Sequence, residues 1–177
     1  QLCAWQVSDN PNAKPLVTLI YESDLDSSSF DNAYGTFKTK RQALQILNKL
    51  ADEEGLCDKA LGLEKGSGIC FSHQLKHCKG LCAGQEPAEL HRLRLLTALS
   101  RYKILAWPFA GRIGIKEYNP ANDMTEVHVF DQWCHLGTVK DHQELDELSK
   151  RPCFDRDTYR YLLKFINRKQ VEIIALH

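Results

Sequence analysis

Strand-like alternation at both ends of the chain, two helical periods between them, and four cysteines in the stretch joining those helices predict an α+β fold. The sheet content is predicted to be mainly antiparallel, with a cysteine-ligated metal-cluster region between the helices. Gln1 to Val7 and Leu16 to Tyr21 alternate as short strands, and Asp9-Asn10-Pro11 supplies the turn between them. The polar stretch DLDSSSFDNA, Asp24 to Ala33, reads as a loop. A helix starts at Thr39, which can cap it with Gln42 as capping-box partner. Leu44, Leu47, Leu50 and Ala51 line one face, and Gly55 ends it.

Glu86-Pro87 opens a second helix, with Pro87 near the first helical position, where a missing N–H costs nothing. Leu90, Leu93, Leu96 and Leu99 are expected along one side, and His91, Arg94 and Arg101 on another. From Ile104 onward the pattern changes to strands: ILAWPF, RIGIKEY, TEVHVFD and CHLGTV, with turns at Pro108 to Gly111 and Asn119 to Asp123. A short polar helix from Asp141 to Ser149, a helix from Asp155 to Asn167 and a strand from Val171 to Leu176 follow. The chain reads as a single module of three stretches, 1–56, 57–103 and 104–177. Boundaries between lobes fall near Asp24–Tyr34 and near Arg101.

A chain of 177 residues with 43% hydrophobic content can build a real core. No apolar run approaches the roughly 20 residues that cross a bilayer. The net charge of zero hides an uneven distribution. Residues 1–64 carry six Lys/Arg against ten Asp/Glu, and residues 117–157 carry four against ten. Residues 65–103 carry seven against two, and this basic block holds three of the four clustered cysteines.

Those cysteines are Cys57, Cys70, Cys78 and Cys82, separated by twelve, seven and three residues. Disulfides fit poorly, because the cysteine count of seven is odd and no apolar leader is visible. A zinc site would use four thiolates, but its common frameworks pair cysteines two to four residues apart, and only Cys78 and Cys82 are that close. A [4Fe–4S] cube is wider than one ion and takes four cysteines at its corners, which suits longer, irregular intervals. Buried free thiols are the plain alternative. Spacing leaves iron–sulfur and zinc both open.

The segments YGTFKTKRQAL, LCDKALGLE, CFSHQLKHCKGLCAGQEP, LHRLRL, WPFAGRIGIKE and DQWCHLGTV, in that order, resemble the C-terminal half of the bacterial Cho-type alternative excinucleases. Those are homologues of the N-terminal half of UvrC, the incising subunit of nucleotide excision repair. UvrC shares mainly the cysteine block, C…C…QLxxCxGxC, here Cys57, Cys70, Gln74-Leu75, Cys78, Gly80 and Cys82. The resemblance implies a [4Fe–4S] cluster on those four cysteines and raises it above zinc. It also implies a bacterial cytoplasmic protein that works on damaged double-stranded DNA with a UvrB-like partner. The family's GIY-YIG nuclease domain precedes this region, in some members behind a proofreading-type 3′–5′ exonuclease. This chain opens on Gln1 and has no GIY…YIG pair; RIGIKEY, Arg112 to Tyr118, is not that motif. The nuclease domain is therefore expected upstream, and this part is expected to be non-catalytic alone.

Lys76, Lys79, Arg92, Arg94, Arg101 and Lys103 are candidate phosphate contacts, which give affinity without sequence preference. A solvated helix face is the plain reading of such a run, and the resemblance favours DNA. Lys76 and Lys79 can also offset the negative charge of a thiolate-ligated cluster. The acidic stretch Asp123 to Glu147, with Phe130 and Trp133, is a candidate dock for the UvrB-like partner. Core packing is the favoured role for those two aromatics, as is a packed sheet corner for Trp107-Pro108-Phe109. Cys134 with His128, His135 and Asp131 lacks any orientation for catalysis, since alternating strand residues face opposite ways. Asp131, Asp155 and Asp157 form the rival reading, a metal-dependent nuclease site, but Asp155 reads better as a helix cap. Cys3 and Cys153 are expected to be ordinary buried thiols.

Overall fold

A computed structural model describes residues 1–148, 150–168 and 171–176. The fold is α+β with two antiparallel sheets. It divides into two compact units, Gln1–Asp24 with Ser29–Ile104, and Leu25–Ser28 with Leu105–His177.

The first unit holds a three-stranded sheet of order β2-β1-β3, with β1 Cys3–Val7, β2 Val17–Tyr21 and β3 Ala33–Phe37. The strand β3 was not predicted. Its register against β1 shifts between Cys3 and Trp5, where Gly35 adopts φ +75°. A glycine in that conformation makes a bulge, and the bulge breaks the two-residue alternation that marks a strand. The ring of Phe37 fills the place where a side chain at Gly35 would stand.

Helix α1, Lys40–Glu54, begins where the capping box predicts. The Thr39 hydroxyl accepts the Gln42 N–H at 3.1 Å, and the Gln42 side chain accepts the Lys38 N–H at 3.0 Å. Gly55 ends it in the left-handed conformation. The buried face is Ala43, Leu47, Leu50 and Ala51, so Ala43 takes the place expected of Leu44. Against it pack Trp5 and Phe37, whose rings lie 4.4 Å apart, and Tyr102.

Helix α4, Ala88–Leu99, has Pro87 at its N-cap. Its orientation corrects the expectation. His91, Leu95 and Leu99 are buried, while Leu90 and Leu93 are exposed. At about 100° per residue, Leu90 and Leu99 stand on opposite sides of the helix. A run spaced by three cannot form one stripe, whereas the four-residue spacing of His91, Leu95 and Leu99 can.

The second unit holds a four-stranded sheet of order β6-β5-β4-β7: β4 Ile113–Asn119, β5 Met124–Asp131, β6 Cys134–Val139 and β7 Ile173–Ala175. ILAWPF is not a strand; its backbone is irregular. Trp107 is buried there against Phe109 and Trp133. The β5–β6 hairpin turns on Gln132 and Trp133, both at positive φ, between the paired residues Asp131 and Cys134. Trp133 is fully buried and donates its indole N–H to the Leu105 carbonyl at 2.9 Å, and Phe130 is buried too, so both pack in the core. Helix α5 spans His142–Glu147, capped by Asp141; its expected end at Ser149 lies outside the described residues. Asp155 caps α6, Arg156–Arg168, by accepting the Thr158 N–H at 2.6 Å. Cys153 is exposed, not buried, whereas Cys3 is buried as expected. Among the described residues, no helix is long and apolar enough to cross a membrane.

Candidate metal centre

The four clustered cysteines come from three short turns that the first unit's core pins together. Cys57 stands at the N-cap of the single-turn helix α2, Asp58–Leu61, and Cys70 at the N-cap of the single-turn helix α3, Phe71–Gln74. Cys78 follows α3, and Cys82 lies in a 3₁₀ turn, Leu81–Ala83. Their sulfurs all lie within 4.8 Å of one another, with Cys70 and Cys82 at 3.6 Å. Cys57, Cys70 and Cys78 are buried, and Cys82 is partly exposed. Among the described residues, this is the one group of His, Cys, Asp or Glu side chains that can hold a metal.

Each turn is tied by a different device. The Cys57 N–H donates to His91 Nε2 at 3.0 Å, so α4 positions the first ligand. His91 is fully buried, and burial pushes its pKa down, keeping the ring neutral. The Phe71 N–H donates to the Glu64 carboxylate at 2.9 Å, and Ser72 Oγ donates to Asp58. The His73 ring meets the Cys78 carbonyl at 3.1 Å. Gly80, at φ +94°, leads into the last turn, where a side chain would collide with Gln85. Backbone N–H groups of Cys70 and Gly80 reach the sulfurs of Cys82 and Cys78, each at 3.4 Å.

The thiols feel their enclosure. Burial pushes Cys57 up to about 11 and Cys78 further in the same direction, and neighbouring thiols add to both. Burial also raises Cys82, but hydrogen bonds from the Cys70 N–H and from the neighbouring thiols outweigh it and bring the group down. Thiolates packed this closely repel one another, and a bound cation removes that penalty. Four thiols form a donor set for zinc or for an iron–sulfur centre, so the site's chemistry fits a metal. A zinc ion, with Zn–S near 2.3 Å, draws its four sulfurs to about 3.8 Å apart. The wider cube needs them moved outward. A cavity of about 720 Å³ borders Cys57 and Cys82.

The six basic candidates do not form one free surface. Lys76, Lys79 and Arg101 are exposed. Arg94 makes two 2.7 Å bonds to Glu86 and also donates to the carbonyls of Glu54 and Gly55. Arg92 donates to the Ser8 carbonyl at 2.9 Å and lies 3.7 Å from Asp9. Lys103 donates to the carbonyls of Phe30 and Asp31 and lies over the Tyr34 ring. These three bind their own chain. His91, expected in the basic stripe, is inside. Sequence reasoning missed its role, and its one signal was the four-residue spacing with Leu95 and Leu99.

In the second unit, His128 bonds Glu117 at 2.5 Å and meets Thr138 at 2.9 Å, while Cys134 points its thiol toward the His135 carbonyl. No thiol–imidazole pair forms there among the described residues.

Comparison with known proteins accounts for nearly the whole chain. The family described as "UvrC/Cho excinuclease, middle domain" matches residues 2–101, and "Excinuclease Cho C-terminal domain" matches residues 112–177. The chain is 39% identical over 180 residues to "Excinuclease cho" of Salmonella typhi, covering 100% of itself and 59% of that protein. It is 38% identical over 179 residues to the protein of the same name from Escherichia coli (strain K12), covering 99% of itself and 58% of that protein. No solved structure matches it. The chain thus spans little more than half the length of these relatives. The chain belongs to the UvrC/Cho excinuclease family, with the family's middle domain followed by a Cho-type C-terminal domain.

Proposed function

We propose that this chain is the DNA-binding, scaffolding part of a nucleotide-excision-repair endonuclease, organised by a [4Fe–4S] cluster on Cys57, Cys70, Cys78 and Cys82. The observation that supports a metal centre is the convergence of those four sulfurs within 4.8 Å, and membership of the UvrC/Cho family is what favours iron–sulfur over zinc. When bound, the cluster supplies a cross-link between the three short loops that carry its ligands. It needs no electron transfer for this role, because incision of a phosphodiester is hydrolytic.

The chain's own residues do the rest. His91, Glu64, Asp58 and Ser72 fix the loops that carry the ligands. Lys76 and Lys79, exposed beside Cys78, engage the DNA backbone, and Arg101 extends that contact. Arg92, Arg94 and Lys103 bind their own chain and hold the first unit together. The bound substrate is presented to a GIY-YIG nuclease domain preceding this region, with a UvrB-like protein delivering the lesion. In this reading the chain alone does not cut.

Salt-dependent binding tests the proposal. Fluorescence anisotropy with a labelled duplex should give a log–log slope that falls by about 0.9 for each of Lys76→Ala and Lys79→Ala. Affinity that does not respond to salt would refute DNA backbone binding and leave a protein-docking role.

A further inference from the structure

Three large apolar side chains stand out of the metal-site loops. Ile69 is 49% exposed, Phe71 62% and Leu75 51%. Two of them flank Cys70 directly, and Leu75 follows α3 one turn after Phe71, its N–H bonded to the Phe71 carbonyl at 3.1 Å. Phe71 makes no ring contact among the described residues. The backbone beneath these side chains is held firmly. Glu64 takes the Phe71 N–H, Asp58 takes the Ser72 hydroxyl, and His73 meets the Cys78 carbonyl. A loop that only needed to deliver Cys70 would gain nothing by holding a phenyl ring in water, which forfeits burial of that ring.

The surroundings indicate the occupant. From Lys65 to Gln85 the sequence contains no carboxylate. Lys65, Lys76 and Lys79 are exposed and have no ion-pair partner among the described residues. Of the acids bordering the stretch, Glu64 takes the Phe71 N–H and lies 3.7 Å from Lys59, Asp58 takes the Ser72 hydroxyl, Glu86 is closed on Arg94, and Asp52 lies 3.9 Å from His77. An apolar tip with three exposed lysines around it, unpaired among the described residues, complements a polyanion with an apolar interior. Nucleic acid has that character: phosphates outside and stacked bases within. Apolar wedges of Phe, Leu and Ile enter base steps where the duplex is already loosened, while flanking lysines hold the backbone.

We propose that Phe71, backed by Leu75 and Ile69, is a wedge that enters unstacked or unpaired base steps and gives this chain a preference for distorted DNA over intact duplex. The proposal rests on the DNA-binding reading above and adds a residue that reads deformability to cations that do not. Lysines bring the chain to any duplex, and Phe71 is used only where the stack opens easily.

The test compares the chain with Phe71→Ser and Leu75→Ser on an intact duplex and on the same duplex with a central unpaired bubble. Both side chains are exposed, so the variants keep the fold, which equal metal content and melting temperature verify. The expected result is a bubble preference that drops by about tenfold in Phe71→Ser, with the intact-duplex salt slope unchanged. A 2-aminopurine at the bubble edge should brighten with the parent chain and not with Phe71→Ser. An unchanged bubble preference overturns the wedge while the DNA-binding reading stands, and leaves the face to a protein partner. Absence of salt-dependent binding to either duplex overturns both.

Discussion

His91 and Arg94 mark the limit of what a one-dimensional pattern says about a single residue. Both belong to a run that reads as a basic stripe, yet one is a neutral acceptor for the Cys57 N–H and the other is closed on Glu86. Their roles depend on what α4 meets, which charge patterning does not encode. His91→Ala would leave a buried N–H without a partner and a void behind it. It is expected to cost about 2–4 kcal/mol in urea unfolding and to lower the metal bound per chain. His91→Gln, which keeps an acceptor, should recover part of both. Arg94→Ala leaves the Glu86 carboxylate, whose side chain is 6% exposed, without its partner. A loss of about 3–5 kcal/mol is expected, visible as a lower urea midpoint, with little change in the salt slope of DNA binding. Lys76 and Lys79 behave the opposite way. By contrast, the four cysteines were legible from the outset, because close spacing of one residue type with strong metal chemistry needs no knowledge of the neighbours.

Elements with a local cause were legible, and those with a tertiary cause were not. Helix α1 starts and stops on its own side-chain and glycine signals, so its bounds follow from the sequence; Thr39→Ala should cost about 1 kcal/mol, read as a lower melting temperature. The three strands of the β4–β6 meander also announce themselves through alternation and turn residues. Strand β3 did not, because Gly35 introduces a bulge that β1 accommodates across the sheet. ILAWPF failed in the other direction. It has strand-like residues, but Trp107 and Trp133 pack edge to face and draw the segment into an irregular path. Aromatic packing outweighed intrinsic strand preference there. On α4, four leucines at three-residue spacing suggest a stripe that helix geometry does not allow, and the buried face is His91, Leu95 and Leu99 instead.

At the scale of the whole molecule, the metal ligands all lie in the first unit, together with the exposed lysines and the wedge candidate. Residues Cys57, Cys70 and Cys78 are also part of that unit's apolar core, alongside Leu47, Leu95 and Leu99. A metal bound by these cysteines would be linked to folding, because what binds only the folded state stabilises it. Cys78→Ser should lower the first unit's resistance to urea, and hydrogen exchange should report the loss at α1 and α4. The identity of the centre held by Cys57, Cys70, Cys78 and Cys82 decides the proposed role of the first unit. Its most direct test is anaerobic purification followed by visible absorption with iron and sulfide analysis. A [4Fe–4S] centre should give a broad charge-transfer absorption with about four irons and matching sulfide per chain, lost in Cys78→Ser. A colourless protein carrying about one zinc would contradict the iron–sulfur assignment, and a stably folded chain without metal would contradict the site itself.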